Sequence, residues 1–98
     1  MANLFIISTS PFKRREHNMH LYLAKENDAV IFIQNGVYIA QGMPPDLKSI
    51  IEEKKKQKVK FYALKEDMKA RGIKGFFGDV VDYDGFLELI ETYDKVIH

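Results

Sequence analysis

Val59-Lys60-Phe61-Tyr62-Ala63-Leu64-Lys65-Glu66-Asp67-Met68-Lys69-Ala70-Arg71-Gly72 runs from an apolar strand straight into a short helix that a glycine ends. Six residues rich in aromatic and aliphatic side chains predict strand over Val59–Leu64, and their near-continuous apolar character predicts cover on both faces. Helix is predicted for Glu66–Arg71, with Gly72 at the left-handed position beyond a helix end. A strand buried on both sides and followed at once by a helix is the unit of a parallel α/β sheet.

The same pattern repeats upstream. Leu4–Thr9 predicts a first buried strand, ended by Ser10-Pro11, because proline lacks the ladder donor and Ser10 can cap the next helix. A helix is predicted from Phe12 to Lys25, with Met19, Tyr22 and Leu23 spaced to share one face and Leu21 beside it. Ala29–Ile33 predicts a second strand, and Gln34-Asn35-Gly36 turns it into a short helical segment, Val37–Ala40. After the break at Gly42–Pro45, a helix is predicted over Asp46–Lys56, with Asp46 as cap and Leu47, Ile50 and Ile51 facing inward.

Downstream of Gly72, residues 73–79 read as an irregular connection and Val80–Tyr83 as a weak fourth strand. Asp84 opens a last helix whose Phe86, Leu89, Ile90 and Tyr93 follow the i, i+3, i+4, i+7 rule, and Lys95–His98 adds a short edge strand. The expectation is one domain, residues 1–98, of small three-layer α/β/α type with a largely parallel four- to five-stranded sheet.

Composition narrows the chemistry. A charged fraction of 30% beside 46% hydrophobic residues is that of an ordinary soluble fold, and no apolar run approaches the ~18–20 residues that span a bilayer. The first eight residues lack the basic region and apolar length of a signal peptide, so the cytoplasm is the expected compartment, with no membrane partner. Zero cysteines exclude disulfides, thiolate metal sites and cysteine nucleophiles together. A net charge of +1 offers no overall attraction for nucleic acid, although the lysines at 54, 55, 56, 58 and 60 leave a local RNA contact open. A solvated helix end is the simpler reading of that run, because cations suit the negative end of a helix dipole.

In an open parallel sheet, sites gather at the carboxyl ends of the strands. Those ends are Ser8-Thr9-Ser10, Gln34-Asn35-Gly36, Lys65-Glu66-Asp67 and Asp82-Tyr83-Asp84. No glycine-rich dinucleotide fingerprint or P-loop follows any strand, and Pro11 removes a donor from the first turn; no cofactor is expected. His17 and His20 are spaced to share a helix face, but a third metal ligand is wanting, so they read as surface or interface histidines. The carboxylate pairs Glu52-Glu53 and Glu66-Asp67 read as solvated and helix-starting residues respectively, with Asp67 and Arg71 an ordinary i, i+4 pair. Phe76 and Phe77, adjacent in a glycine-bounded loop, are not expected to fit one small core together, so one of them is expected to meet a partner.

Ser10-Pro11-Phe12 after the first strand, Asp28 to Val37 through Gln-Asn-Gly-Val, and Lys58 to Gly72 stand in the order and spacing of the DsrH/TusB family, which the chain resembles over nearly its whole length. The resemblance implies the α/β fold shared by the small DsrE, DsrF and DsrH subunits, or TusD, TusC and TusB, which assemble as a hexamer with two copies of each. It implies a sulfur relay in which a cysteine persulfide is passed on, toward tRNA wobble 2-thiouridine in the Tus branch and within sulfur oxidation in the Dsr branch. The acceptor cysteine belongs to the DsrE/TusD subunit. Some DsrH members also carry a cysteine at or beside the position of His20, and histidine cannot form a persulfide.

The expectation is therefore a non-catalytic subunit with DsrE/TusD-like and DsrF/TusC-like partners, and no catalytic or metal residue of its own. Ser10, Phe12, His20, Asn35, Gly36, Phe76 and Phe77 are its candidate partner or site-rim residues. Homodimerisation stays open. The alternative is a self-associating domain that binds a small anionic ligand or nucleotide at Ser8–Ser10 and Asn35-Gly36.

Overall fold

A computed structural model of the chain describes residues 2–10 and 17–98, and the side chains of 2–10 and 20–98. Among the described residues, five strands, β1 (Asn3–Ile7), β2 (Ala29–Phe32), β3 (Lys60–Leu64), β4 (Asp79–Val81) and β5 (Lys95–Ile97), alternate with four α-helices. These are α1 (His17–Leu23), α2 (Pro45–Lys56), α3 (Lys65–Ala70) and α4 (Tyr83–Thr92), and a 3₁₀ helix, Gln34–Ala40, follows β2. All neighbouring strands pair in parallel, in the order β4-β3-β2-β1-β5. The register sets Leu4 beside Ala29 and Ala29 beside Lys60, while Leu64 meets Val81 and Phe5 meets Ile97.

This order explains the two unequal helical layers. Three successive crossovers step the same way from β1 to β4 and lay their helices on one face, and the return to β5 lays α4 on the other. Strand side chains alternate accordingly. Phe5, Ile7, Val30, Phe32, Phe61 and Ala63 pack with Leu21, Val37, Ile39, Leu47, Ile50, Ile51 and Met68 on the crowded face. Leu4, Ile6, Ala29 and Ile31 face Phe86, Leu89, Ile90 and Tyr93 of α4. Both clusters need apolar partners, which is why the central strands read as unbroken hydrophobic runs.

Helix ends follow local chemistry and shift several expected boundaries. Beyond α3, Gly72 takes φ +69°, and its N–H donates to Lys69 O at 3.2 Å while Ile73 N–H donates to Met68 O at 2.9 Å, the paired bonds of a Schellman motif. Pro44, not Asp46, is the cap of α2. Pro45 occupies the first helical position, where its fixed φ and missing donor are harmless, and Asp46 falls in the first turn. Asp82, not Asp84, caps α4: its Oδ1 accepts from Gly85 N–H at 2.8 Å, because Asp82 has the extended backbone that a cap requires.

The inward face of α1 also differs from expectation. Leu21 and Ala24 are buried at 1% and 0% exposure, whereas Tyr22 and Leu23 stand 64% and 56% exposed. Leu21 and Ala24, three apart, turn toward the core that holds Phe5, and their neighbours are rotated outward. Met19's side chain and the predicted helix start at Phe12 lie outside the described residues.

The lysine run is only partly a solvated helix end. Lys54 Nζ donates to Tyr22 O at 3.0 Å and Ala24 O at 2.8 Å, so α2 supplies the cation at the C-terminus of α1. Lys55 donates to Phe77 O and lies 5.4 Å from the centre of its ring, and Lys58 pairs with Glu26 at 3.8 Å.

Candidate functional site at the strand carboxyl ends

The carboxyl ends of β1, β2 and β3 converge on one polar cluster. Ile33 N–H donates to Ile7 O at 2.9 Å and Gly36 N–H to Ile33 O at 2.9 Å, so the 3₁₀ helix folds back over the end of β1. Gly36 is buried in that approach. A Cβ there would overlap the Ile7 carbonyl oxygen and lie 3.1 Å from its carbon, which fixes glycine at this position.

Around this point the side chains bind one another. Asp67 Oδ2 accepts the Gln34 N–H at 2.6 Å, and its Oδ1 lies 3.6 Å from Arg71 Nη1. Arg71 also donates through Nε to Asn35 Oδ1 at 3.1 Å and through Nη1 to Asp67 O at 3.1 Å. The guanidinium carbon sits 5.9 Å from the ring centre of Tyr38, within reach of a cation–π contact. Glu66 Oε2 accepts the Tyr83 N–H at 3.2 Å and ties β4's end to α3. The predicted i, i+4 pair of Asp67 and Arg71 thus forms, but as part of a latch joining three strand ends.

The candidate residues fall into three places. Asn35 and Gly36 belong to the latch, and half-buried Ser10 lies beyond the end of β1. Phe12 lies outside the described residues. His20 is elsewhere: its ring centre is 5.7 Å from that of Phe5, above a cavity of about 500 Å³ lined with Asn3, Leu23, Lys25, Asp28 and Ile97. Its Nδ1 is buried without a hydrogen-bond partner among the described residues. Among the described residues no group of three histidines or carboxylates could hold a metal.

Phe76 and Phe77 form the third place and correct the steric expectation. Both rings pack on Phe32, with centres 5.9 and 6.1 Å away in edge-to-face contact, and Phe77 also meets Phe61 at 5.8 Å. Edge-to-face packing lets one core edge accept two adjacent rings. They remain half-buried, and Phe76 and Phe77 border an open cleft of about 850 Å³ lined also by Ile39, Met43, Lys48 and Lys74.

Asp28, which in the sequence looks like mere punctuation before β2, is a structural residue that pattern alone does not single out. Although only 3% exposed, its carboxylate accepts Asn3 N–H at 2.8 Å through Oδ1 and Lys25 N–H at 2.9 Å through Oδ2. Its own carbonyl accepts Lys60 N–H at 3.2 Å. The signal was present: an acidic residue directly before a wholly apolar strand needs buried donors. On the opposite face, burial pushes the Tyr93 hydroxyl above its ordinary pKa of 10.0, with further upward contributions from its neighbour and hydrogen-bond partner Tyr62 and from Asp28.

Comparison with known proteins covers most of the chain. The family described as DsrH like protein matches residues 9–96, a span that contains the latch and both phenylalanines. Protein TusB of Salmonella dublin is 38% identical over 77 residues, covering 74% of this chain and 76% of the relative. The TusB proteins of Salmonella gallinarum and Salmonella arizonae match to the same extent. The chain belongs to the DsrH/TusB family.

Proposed function

We propose that this protein is a non-catalytic subunit of a cytoplasmic sulfur-relay complex serving tRNA wobble-uridine 2-thiolation, partnered by DsrE/TusD-like and DsrF/TusC-like chains. One observation carries the reading: a member of the DsrH/TusB family that has no cysteine. Persulfide chemistry needs a thiolate, so the sulfur rides on a neighbour and this chain contributes surface. The latch supports the same view. Arg71, Asn35, Asp67 and the Gln34 N–H are engaged with one another, which leaves the strand ends built for rigidity.

The test is genetic and chemical. Deleting the gene should abolish 2-thiouridine in tRNA hydrolysates, re-expression should restore it, and the purified chain alone should take up no sulfane sulfur from a persulfide donor. Retention of 2-thiouridine in the deletion strain, or single-turnover sulfur uptake by the isolated chain, overturns the proposal.

A further inference from the structure

The two helical layers differ in charge as well as in number. Residues 79–94, from β4 through α4, contain six carboxylates and no lysine, arginine or histidine, within a chain whose net charge is +1. Asp82 caps α4 and Asp94 accepts from Ala2 N–H at 3.0 Å. Asp79, Asp84, Glu88 and Glu91 are exposed, and none has an ion-pair partner among the described residues.

This acidic border flanks an apolar surface that the sheet does not cover. At 100° per residue, the apolar side chains of α4 sweep an arc of about 160°, wider than the about 100° stripe that serves one core. The sheet takes the side holding Phe86, Leu89 and Tyr93. Tyr83 and Leu87, one turn apart on the other flank, remain 55% and 42% exposed. No residue of α4 is buried, although the helix is the most regularly apolar in the chain.

Charge decides what fits here. Nucleic acid and anionic membranes are repelled by four unpaired carboxylates. A twofold contact between two copies through α4 would set like charges opposite one another, since such an interface is self-complementary. Of the chain's own lysine run, Lys54, Lys55 and Lys58 are engaged within the molecule, so that run offers only the exposed Lys56 and Lys60 as a complement.

We infer that the outer flank of α4, with Tyr83 and Leu87 at its centre and Asp84, Glu88 and Glu91 at its rim, docks a basic, apolar-centred surface of a non-identical subunit. Apolar contact supplies the affinity and the carboxylates select the partner. The inference rests on the proposed membership of a multisubunit relay, and adds which face binds and what chemistry it binds.

The test co-expresses the full chain with the DsrE-like and DsrF-like subunits of the same organism and measures assembly by light scattering, at about 50 and about 500 mM salt, conditions that span weak and strong screening. Wild type should assemble, less well at high salt. Leu87→Glu with Tyr83→Ser, and separately Asp84→Lys with Glu88→Lys, should weaken assembly at least about tenfold. Circular dichroism should show both variants folded, because all four side chains are exposed. Glu52→Lys with Glu53→Lys on α2 should assemble like wild type.

If wild type assembles and both α4 variants match it, the α4 inference falls while the relay reading stands. If wild type joins neither subunit, both fall. A homo-oligomer of the chain alone that the α4 variants abolish makes a second copy the occupant and overturns the inference.

Discussion

Replacing Asp28 with alanine should cost more stability than any single surface substitution in this protein. The carboxylate is 3% exposed and receives two backbone N–H groups, at 2.8 Å from Asn3 and 2.9 Å from Lys25. Hydrogen bonds to a charged acceptor contribute about 1.5–3 kcal/mol each, so the pair amounts to about 3–6 kcal/mol. Against this stands the cost of keeping a carboxylate out of water, which its removal relieves. Alanine also strands two backbone donors at the start of β1 and the end of α1, each costing about 1–3 kcal/mol unless water reaches it.

The net expectation is a loss of about 3 kcal/mol. A domain of this size has a total stability of about 5–15 kcal/mol, and a change of 1 kcal/mol moves Tm by about 4–8 °C, so Asp28→Ala should melt about 12–24 °C below wild type. Far-UV circular dichroism and urea titration at pH 7 give both numbers. Asp28→Asn keeps one acceptor oxygen but presents an amide to the second donor, and should fall between the two. A Tm for Asp28→Ala within about 3 °C of wild type would refute the reasoning, since it would mean the two bonds add nothing beyond the desolvation they offset.

Three further outcomes rest on the packing. Gly36→Ala forces a methyl group against the Ile7 carbonyl and should cost about 1–3 kcal/mol in urea unfolding; wild-type stability would show that the 3₁₀ helix shifts freely. Lys54→Met removes the donor to Tyr22 O and Ala24 O and should speed amide exchange in α1 while leaving β2 and β3 protected. Tyr93 has a folded-state pKa raised above 10.0, mainly by burial. Its stabilising contribution is therefore complete below about pH 10 and lost as pH rises through the folded value, because the unfolded chain ionises first. Tyr93→Phe should flatten the alkaline fall in Tm, and an unchanged profile would place the cause elsewhere.

Much of this molecule is legible in one dimension because two periodicities are written plainly in the chain. Ala29–Phe32 and Phe61–Leu64 are apolar without alternation, which only a sheet covered on both faces explains, and all of these residues but Tyr62 are buried. Phe86, Leu89, Ile90 and Tyr93 keep helical spacing and do face the sheet. Gly72 announces its left-handed turn because few other residues tolerate that φ.

Contacts between residues far apart in sequence escape such a reading. The Arg71–Asn35 bond spans 36 positions and the Lys54–Tyr22 bond 32. Neither leaves a local trace, since an arginine at a helix end and a lysine in a charged run look the same whether solvated or engaged. The face of α1 is misjudged for a related reason: Leu21, Tyr22 and Leu23 are consecutive and apolar, so spacing could not say which one turns inward. The packing of Phe76 and Phe77 is misjudged because loop composition does not reveal that Phe32 and Phe61 present an edge wide enough for two rings.

The chain alone thus establishes an α/β sheet, its parallel sense, and the impossibility of carrying sulfur on a cysteine, because burial pattern and residue chemistry are local properties that survive without the third dimension. Strand order, the latch at the strand ends, the Asp28 clasp and the uncovered flank of α4 emerge only on folding, because each is set by which distant groups compete for the same space, donor or charge.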